Sequence, residues 1–268
     1  MTVNKDYCMS SYLTFRYVYD KNICFKDGIL YRDHELIVDD RKTPCKTAEE
    51  IDDNIRKILS EIKLDHVAVL LSGDMDSAIL ASYMPAGTKA YTARCIGKKA
   101  VDETEQAKKY CNIYGLEHAV VDIIWDDYVT TMDELMLCDG SPIIPNGPQA
   151  YKLEKIAKQD GVTCILYGDC ADIKSIDPYE RLKMKEPLDL TRVRNGESKY
   201  LIRDWFRMRY PSLDVPEKLP ISRPADDWMK DWTEPVRTEF ILSCVKELNG
   251  EQKLLVYSLE RFLDLIEA

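Results

Sequence analysis

Histidine is scarce in this chain: three in 268 residues, His34, His66 and His118, with none beside a group of cysteines. A His/Cys metal centre is therefore not expected. The nine cysteines (Cys8, Cys24, Cys45, Cys95, Cys111, Cys138, Cys164, Cys170 and Cys244) contain no C-x-x-C pair. Several lie in apolar runs such as YTARCI and VTCILY, so they read as free thiols in a reducing cytoplasm, acting as small buried hydrophobes. Long apolar runs are missing as well. No window approaches the eighteen or so apolar residues of a membrane span, and the first twenty residues hold no apolar signal core. Positive charge is in deficit, with a net charge of −10 and a pI of about 5.0, which argues against a general nucleic-acid binder. A cytoplasmic protein without nucleic-acid or membrane partners is the expectation. An acidic protein can still hold a nucleotide locally, through backbone N–H groups and a metal ion.

What is present is a sizeable apolar fraction, 45% of residues, enough for one large domain or a domain with a helical appendage. Residues 1–45 read as short extended pieces, SYLTFRYVY and HELIVDD. TAEEIDDNIRKILSEIK is then a capped helix: Thr47 and Glu50 have capping-box spacing, and Ile51, Ile55, Ile58, Leu59 and Ile62 form one stripe. A regular alternation follows, with HVAVLL, TKAYTARC, EHAVVDI and GVTCILYGD as strands. Helices lie after Asp76, over DETEQAKKYCNIYG (Asp102 as N-cap, Gly115 as stop), over WDDYVTTMDELML and from Gln149 to Gln159. Nearly all-apolar strands separated by helices predict an α/β fold, an open parallel sheet with helices on both faces, over residues 46–174. Residues 175–268 read as a mainly helical part, including DDWMKDW, TEPVRTEFILSCVKEL and the C-terminal QKLLVYSLERFLDLIEA. The aromatic residues Trp205, Phe206, Tyr210, Trp228 and Trp232 are most simply core packing.

The chemistry concentrates at strand ends. In an open parallel sheet, ligands bind beyond the carboxyl ends of the strands. LLSGDMDSAIL is such an end: Gly73 permits a tight turn, and Ser72 and Ser77 add hydroxyls. It is not a Walker A loop, because G-x-x-x-x-G-K-[ST] is absent. Asp76 makes sense as a ligand for a magnesium ion that travels with phosphates. A second acidic turn, ILYGDCAD, offers Asp169 and Asp172 at another strand end, and the two turns together suit Mg-pyrophosphate. The plainer reading of each Asp or Ser is an ordinary helix cap.

These stretches carry a resemblance. LLSGDMDSA resembles the S-G-G-x-D-S pyrophosphatase loop of the N-type ATP pyrophosphatases, and ILYGDCAD resembles the G-[DE]-G-[AS]-D-E signature of their asparagine-synthetase branch. DETEQAKKYCNIYGLEHAVVDI, GSPIIPNGPQAYKLEKIAKQDGV, KEPLDL and KYLIRDWF are similar to further segments of that branch. The resemblance implies the adenine nucleotide alpha-hydrolase-like fold and an ATP-dependent, AMP- and pyrophosphate-forming ligase. Such an enzyme adenylates a small-molecule carboxylate substrate for amide formation with ammonia or an amine. It further implies that Leu71, Ser72, Gly73, Asp74, Asp76 and Ser77 surround the pyrophosphate and that Asp76 and Asp172 bind Mg2+. Cys95, Ile96 and Gly97 would lie against the adenine, Gly168 and Asp169 would flank the reacting α-phosphate, and Arg223 would belong to the family's R-x-K segment.

The sequence also departs from that pattern. Asp74 replaces the second loop glycine, Ile173 the last acid of the second turn, and Ala225 the lysine of R-x-K, with Lys218 and Lys230 nearby. Only about a dozen residues separate the second turn from KEPLDL, where relatives carry a longer insert. No glutaminase domain is expected, since residue 2 is Thr2 and the first 45 residues are too few, so ammonia would come from solution or a separate amidotransferase or pathway partner. The departures leave a second reading open, a catalytically decayed fold acting as a nucleotide-binding or scaffold partner.

Overall fold

The computed structural model describes residues 1–32, 39–62, 66–143, 147–166, 174–184, 189–219, 223–240 and 242–268. Its first elements are β1 (Thr2–Val3), α1 (Lys5–Phe15) and β2 (Ile23–Cys24), with β1 and β2 paired in parallel. The extended reading of SYLTFRYVY is thus corrected to a helix. Asn4 caps it by accepting from the Tyr7 N–H, and the Arg16 N–H closes it on the Tyr12 carbonyl. Cys8, Met9 and Tyr12 are buried, and the Tyr12 hydroxyl donates to the Ile143 carbonyl at 2.8 Å. That burial of one helical face overrides the strand propensity of its aromatic and β-branched residues.

Next come β3 (Thr43–Cys45) and α2 (Ala48–Ser60). Thr47 accepts from the Glu50 N–H as expected, but Glu50 reaches back to the Lys46 N–H, one residue beyond the box. Ile51, Ile55, Ile58 and Leu59 are buried, each stabilising the fold by roughly 2 kcal/mol.

The sheet is formed by β4 (Val67–Leu70), β5 (Lys89–Cys95), β6 (Glu117–Ile123), β7 (Cys164–Leu166) and β8 (Lys174–Ile176), all parallel, in the order β6-β5-β4-β7-β8. Between them run α3 (Met75–Ala81), α4 (Thr104–Tyr114), α5 (Trp125–Asp139) and α6 (Gly147–Gln159). Alternation along β4 shows why its sequence is wholly apolar. Ala68 and Leu70 face a core shared with α1, α5 and α6, whereas Val67 and Val69 face one shared with α2, α3 and α4.

Beyond the sheet lie β9 (Leu182–Met184), paired with β3, then α7 (Leu190–Arg194), α8 (Tyr200–Arg209), α9 (Ala225–Trp228) and α10 (Gly250–Glu267). Helix α8 packs on α2 and α3, and α10 on α5 and α9. The five aromatic residues therefore divide. Trp205, Phe206 and Tyr210 are buried in the α2/α3 core, and Trp228 and Trp232 pack on the opposite one. The expected helix over TEPVRTEFILSCVKEL is absent from 234–240, and only a 3-10 turn, Leu242–Glu247, forms. Glu260 accepts from both the Val236 and Arg237 N–H groups, at 2.6 and 3.0 Å, which takes those donors out of any helical ladder.

Among the described residues no helix is long and apolar enough to cross a membrane. Cys8, Cys24, Cys45, Cys95, Cys111, Cys138 and Cys164 are free thiols, all buried except Cys138.

Candidate functional site

The strand order fixes where to look. After β4 the chain builds β5 and β6 on one side, then returns to β7 on the other, so the carboxyl end of β4 is the topological switch point. The Ser72–Ser77 turn lies there. Leu71 still belongs to the sheet, its N–H donating to the Tyr91 carbonyl and its carbonyl accepting from Thr92, both at 2.8 Å.

The turn then closes on itself. Ser77 Oγ accepts from the Ser72 N–H at 3.0 Å and lies 2.9 Å from Ser72 Oγ, and Ser72 Oγ accepts from the Asp74 N–H at 3.2 Å. Two tyrosines brace it from outside: Tyr110 donates to the Gly73 carbonyl at 2.9 Å and Tyr179 to the Asp76 carbonyl at 2.7 Å. A Cβ on Gly73 would stand 3.2 Å from Glu103 Cβ and 3.3 Å from its Oε1. Gly73 is thus needed for close approach to a neighbouring carboxylate.

Three carboxylates and the Lys199 ammonium gather at this turn. Asp74 heads α3 without using its side chain as a cap. Burial pushes its pKa above the usual carboxylate value and the Asp76 charge adds to this, against the lowering effect of Lys218 and Lys199. Burial also raises Glu103 to about 6, helped by the charges of Asp74 and Asp102, although the Gly73 N–H donates to it. Asp76 is engaged by Lys199, whose Nζ lies 2.8 Å from Oδ2. Lys199 enters α8 in the left-handed region, at φ 55. Perturbed carboxylates crowded at a ligand-binding strand end are what a functional site displays.

Of the residues expected here, Leu71, Ser72, Gly73, Asp74, Asp76 and Ser77 come together in one turn. Gly168, Asp169, Asp172 and Ile173 lie outside the described residues. No group of three or more His, Cys, Asp or Glu side chains is arranged to hold a metal among the described residues. Magnesium does not require one, since it is commonly held by one or two carboxylates together with substrate phosphates. The oxygen donors of Asp74 and Asp76 fit that hard cation.

Cys95, Ile96 and Gly97 lie at the end of β5, as expected; Cys95 is buried, whereas Ile96 and Gly97 are exposed. The Ile96 N–H donates to the Ile123 carbonyl at 2.9 Å, and its carbonyl accepts from the Trp228 indole at 3.1 Å. Gly97 is pressed by α9's approach, where a Cβ would fall 2.4 Å from Pro224 Cγ. Cys95 is buried and accepts from the Gln149 amide. Arg223 is buried too and forms an ion pair with Glu251 at the start of α10.

Sequence reasoning missed Glu103, Tyr110 and Tyr179 as neighbours of the turn. Glu103 lies within a quoted segment, DETEQ, but the tyrosines carry no local signal. Lys199 begins the quoted KYLIRDWF stretch, yet nothing in its spacing shows that it meets Asp76.

Comparison with known proteins gives one family, described as asparagine synthase, which matches residues 62–183. The match runs from β4 through the Ser72–Ser77 turn to β9. It bears out the resemblance to asparagine synthase over that stretch, which is a little under half of the chain. No curated protein matches the chain.

Proposed function

We propose that the chain carrying this matched segment is an ATP-dependent, AMP- and pyrophosphate-forming ligase that activates a carboxylate for amide formation. One observation carries the reading: the Lys199 ammonium lies 2.8 Å from Asp76 Oδ2 in the switch-point turn, and the charge of Lys218 acts on Asp74 from farther off. Both lysines come from outside the R-x-K position, where Ala225 stands. They restore the positive charge that a leaving pyrophosphate requires.

In this reading, the Ser72–Ser77 turn and the two lysines bind and orient the β- and γ-phosphates. Asp76, with Asp172, would hold magnesium, which when bound neutralises phosphate charge and polarises the phosphoryl oxygens. A substrate carboxylate oxygen attacks the α-phosphorus, the bond to the bridging oxygen breaks, and pyrophosphate leaves. Ammonia or an amine then attacks the acyl carbon, loses a proton and displaces AMP.

A second reading has its own support. The Ile96 carbonyl, at the expected base position, is already taken by Trp228, and Asp74 adds a carboxylate to the cradle. These favour a scaffold that has lost ATP binding. Calorimetric titration of Mg-ATP into the parent, Asp76→Ala and Asp74→Gly proteins separates the two. The ligase reading expects binding by the parent and its loss in Asp76→Ala, followed by acid-dependent pyrophosphate release in a substrate screen. Binding only after Asp74→Gly supports the scaffold.

A further inference from the structure

Lys199 caps helix α8, and Arg203 and Arg207 follow at four-residue intervals, the latter two on one face of the helix. Two of the three are committed. Lys199 holds Asp76, and Arg207 bonds Asp204 at 2.8 Å, a carboxylate also gripped by Arg192. Arg203 is different. Its Nε donates to the Ser198 carbonyl at 2.9 Å, and its guanidinium forms no ion pair among the described residues.

Beside Arg203 and Arg207 opens a groove of about 590 Å³, walled by Tyr210, Leu213 and Val215, with Asp214 as its one acidic residue. Lys199, at the head of α8, pairs with Asp76 at 2.8 Å, and Lys218, in the chain after α8, lowers the pKa of Asp74 through its charge. Arg203 stands one helical turn, about 6 Å of rise, from Lys199. The groove is within the size range of small-molecule sites, and it joins a guanidinium that forms no ion pair among the described residues to an apolar wall.

We propose that this groove binds an organic acid with a compact apolar body, its carboxylate on Arg203 and its body against Leu213, Val215 and Tyr210. Arginine suits the task because its planar fork matches a carboxylate. Asp214 disfavours a second negative charge, so the ligand is a monocarboxylate rather than a polyanion. That this acid is the one activated rests on the ligase reading; its binding does not.

The test titrates the full chain with phenylacetate, followed by calorimetry and NMR, with 2-phenylethylamine and inorganic phosphate as comparators. Saturable binding of phenylacetate is expected, weakened about tenfold or more in Arg203→Gln. Val215→Glu, which puts a carboxylate in the groove without touching α8, should weaken it as much while leaving Mg-ATP binding unchanged. Circular dichroism verifies that both variants fold, and the Val215 variant decides the matter if the Arg203 variant does not. Absent binding, equal binding by parent and variants, or phosphate binding as tight as phenylacetate would each overturn the proposal. Binding of phenylacetate by a protein that ignores Mg-ATP would leave the groove standing and remove the ligase reading.

Discussion

Lys199 Nζ and Asp76 Oδ2 meet at 2.8 Å although 123 positions separate them in the chain. The contact joins the head of α8 to the turn after β4, and it brings a cation to the place where phosphates are expected. Replacing Lys199 with Met tests what the contact is for. The ammonium is more than half exposed, so the pair should change stability by less than about 1 kcal/mol. Mg-ATP affinity should instead fall about tenfold or more, as loss of a charged phosphate contact implies. A denaturation curve beside a calorimetric titration reads both. A large loss of stability with unchanged nucleotide binding would make Lys199 a structural clasp.

Glu103 supplies a pH dependence. Its folded value of about 6 lies above the usual 4.5, so the native state binds the proton more tightly than the unfolded chain. The stabilisation is complete below pH 4.5 and is lost as pH rises through 6. Glu103→Gln should accordingly stabilise the protein at pH 7 to 8, by about 1 kcal/mol after allowance for solvent screening. Below pH 4.5 the two proteins should match. Urea midpoints across pH 4 to 8 give the comparison, and a pH-independent difference would refute it.

Asp52 anchors α8 from beneath. Burial pushes its pKa up, but hydrogen bonds from Tyr83, Arg56 and Trp205 more than reverse this and hold it below the ordinary 3.8. Its stabilisation is present above that value and lost as pH falls below it. Asp52→Ala leaves the Trp205 N–H, the Tyr83 hydroxyl and the nearby Arg209 guanidinium without their shared acceptor. The expected cost is about 3 kcal/mol, read from the chemical-denaturation midpoint. A cost below about 1 kcal/mol would show that the cluster finds other partners.

Gly97 and Trp228 test the contacts made at the end of β5. Gly97→Ala forces a methyl into the Pro224 ring and should lower stability by about 1–3 kcal/mol. Trp228→Phe keeps an aromatic ring beside Trp125 and Tyr128 but releases the Ile96 carbonyl. If a nucleotide base uses that carbonyl, Trp228→Phe should bind Mg-ATP more tightly than the parent. Unchanged affinity would place the base elsewhere.

Much of the architecture was legible because it follows from local rules. Apolar runs of strand length announced β4 to β7, Thr47 and Gly115 marked helix ends, and a glycine between serines at a strand end marked the turn. Each is a statement about neighbouring residues. The helix at Lys5–Phe15 was not legible, because its residues favour strand and only the burial of Tyr12 and Cys8 reverses the preference. The chain over 234–240 failed in the opposite sense, since its helical character was cancelled by a distant carboxylate, Glu260.

By itself, the sequence determined that a parallel α/β sheet forms and that its first strand ends in a turn of serines and carboxylates. Periodicity and turn chemistry act over a few residues, so they can be read in order along the chain. Tertiary structure alone decided that Lys199 meets Asp76 of that turn, that the Trp228 indole bonds the Ile96 carbonyl, and that Arg203 lines a groove. Those placements depend on how α8 and α9 pack against the sheet, and packing free energy is summed over side chains far apart in sequence.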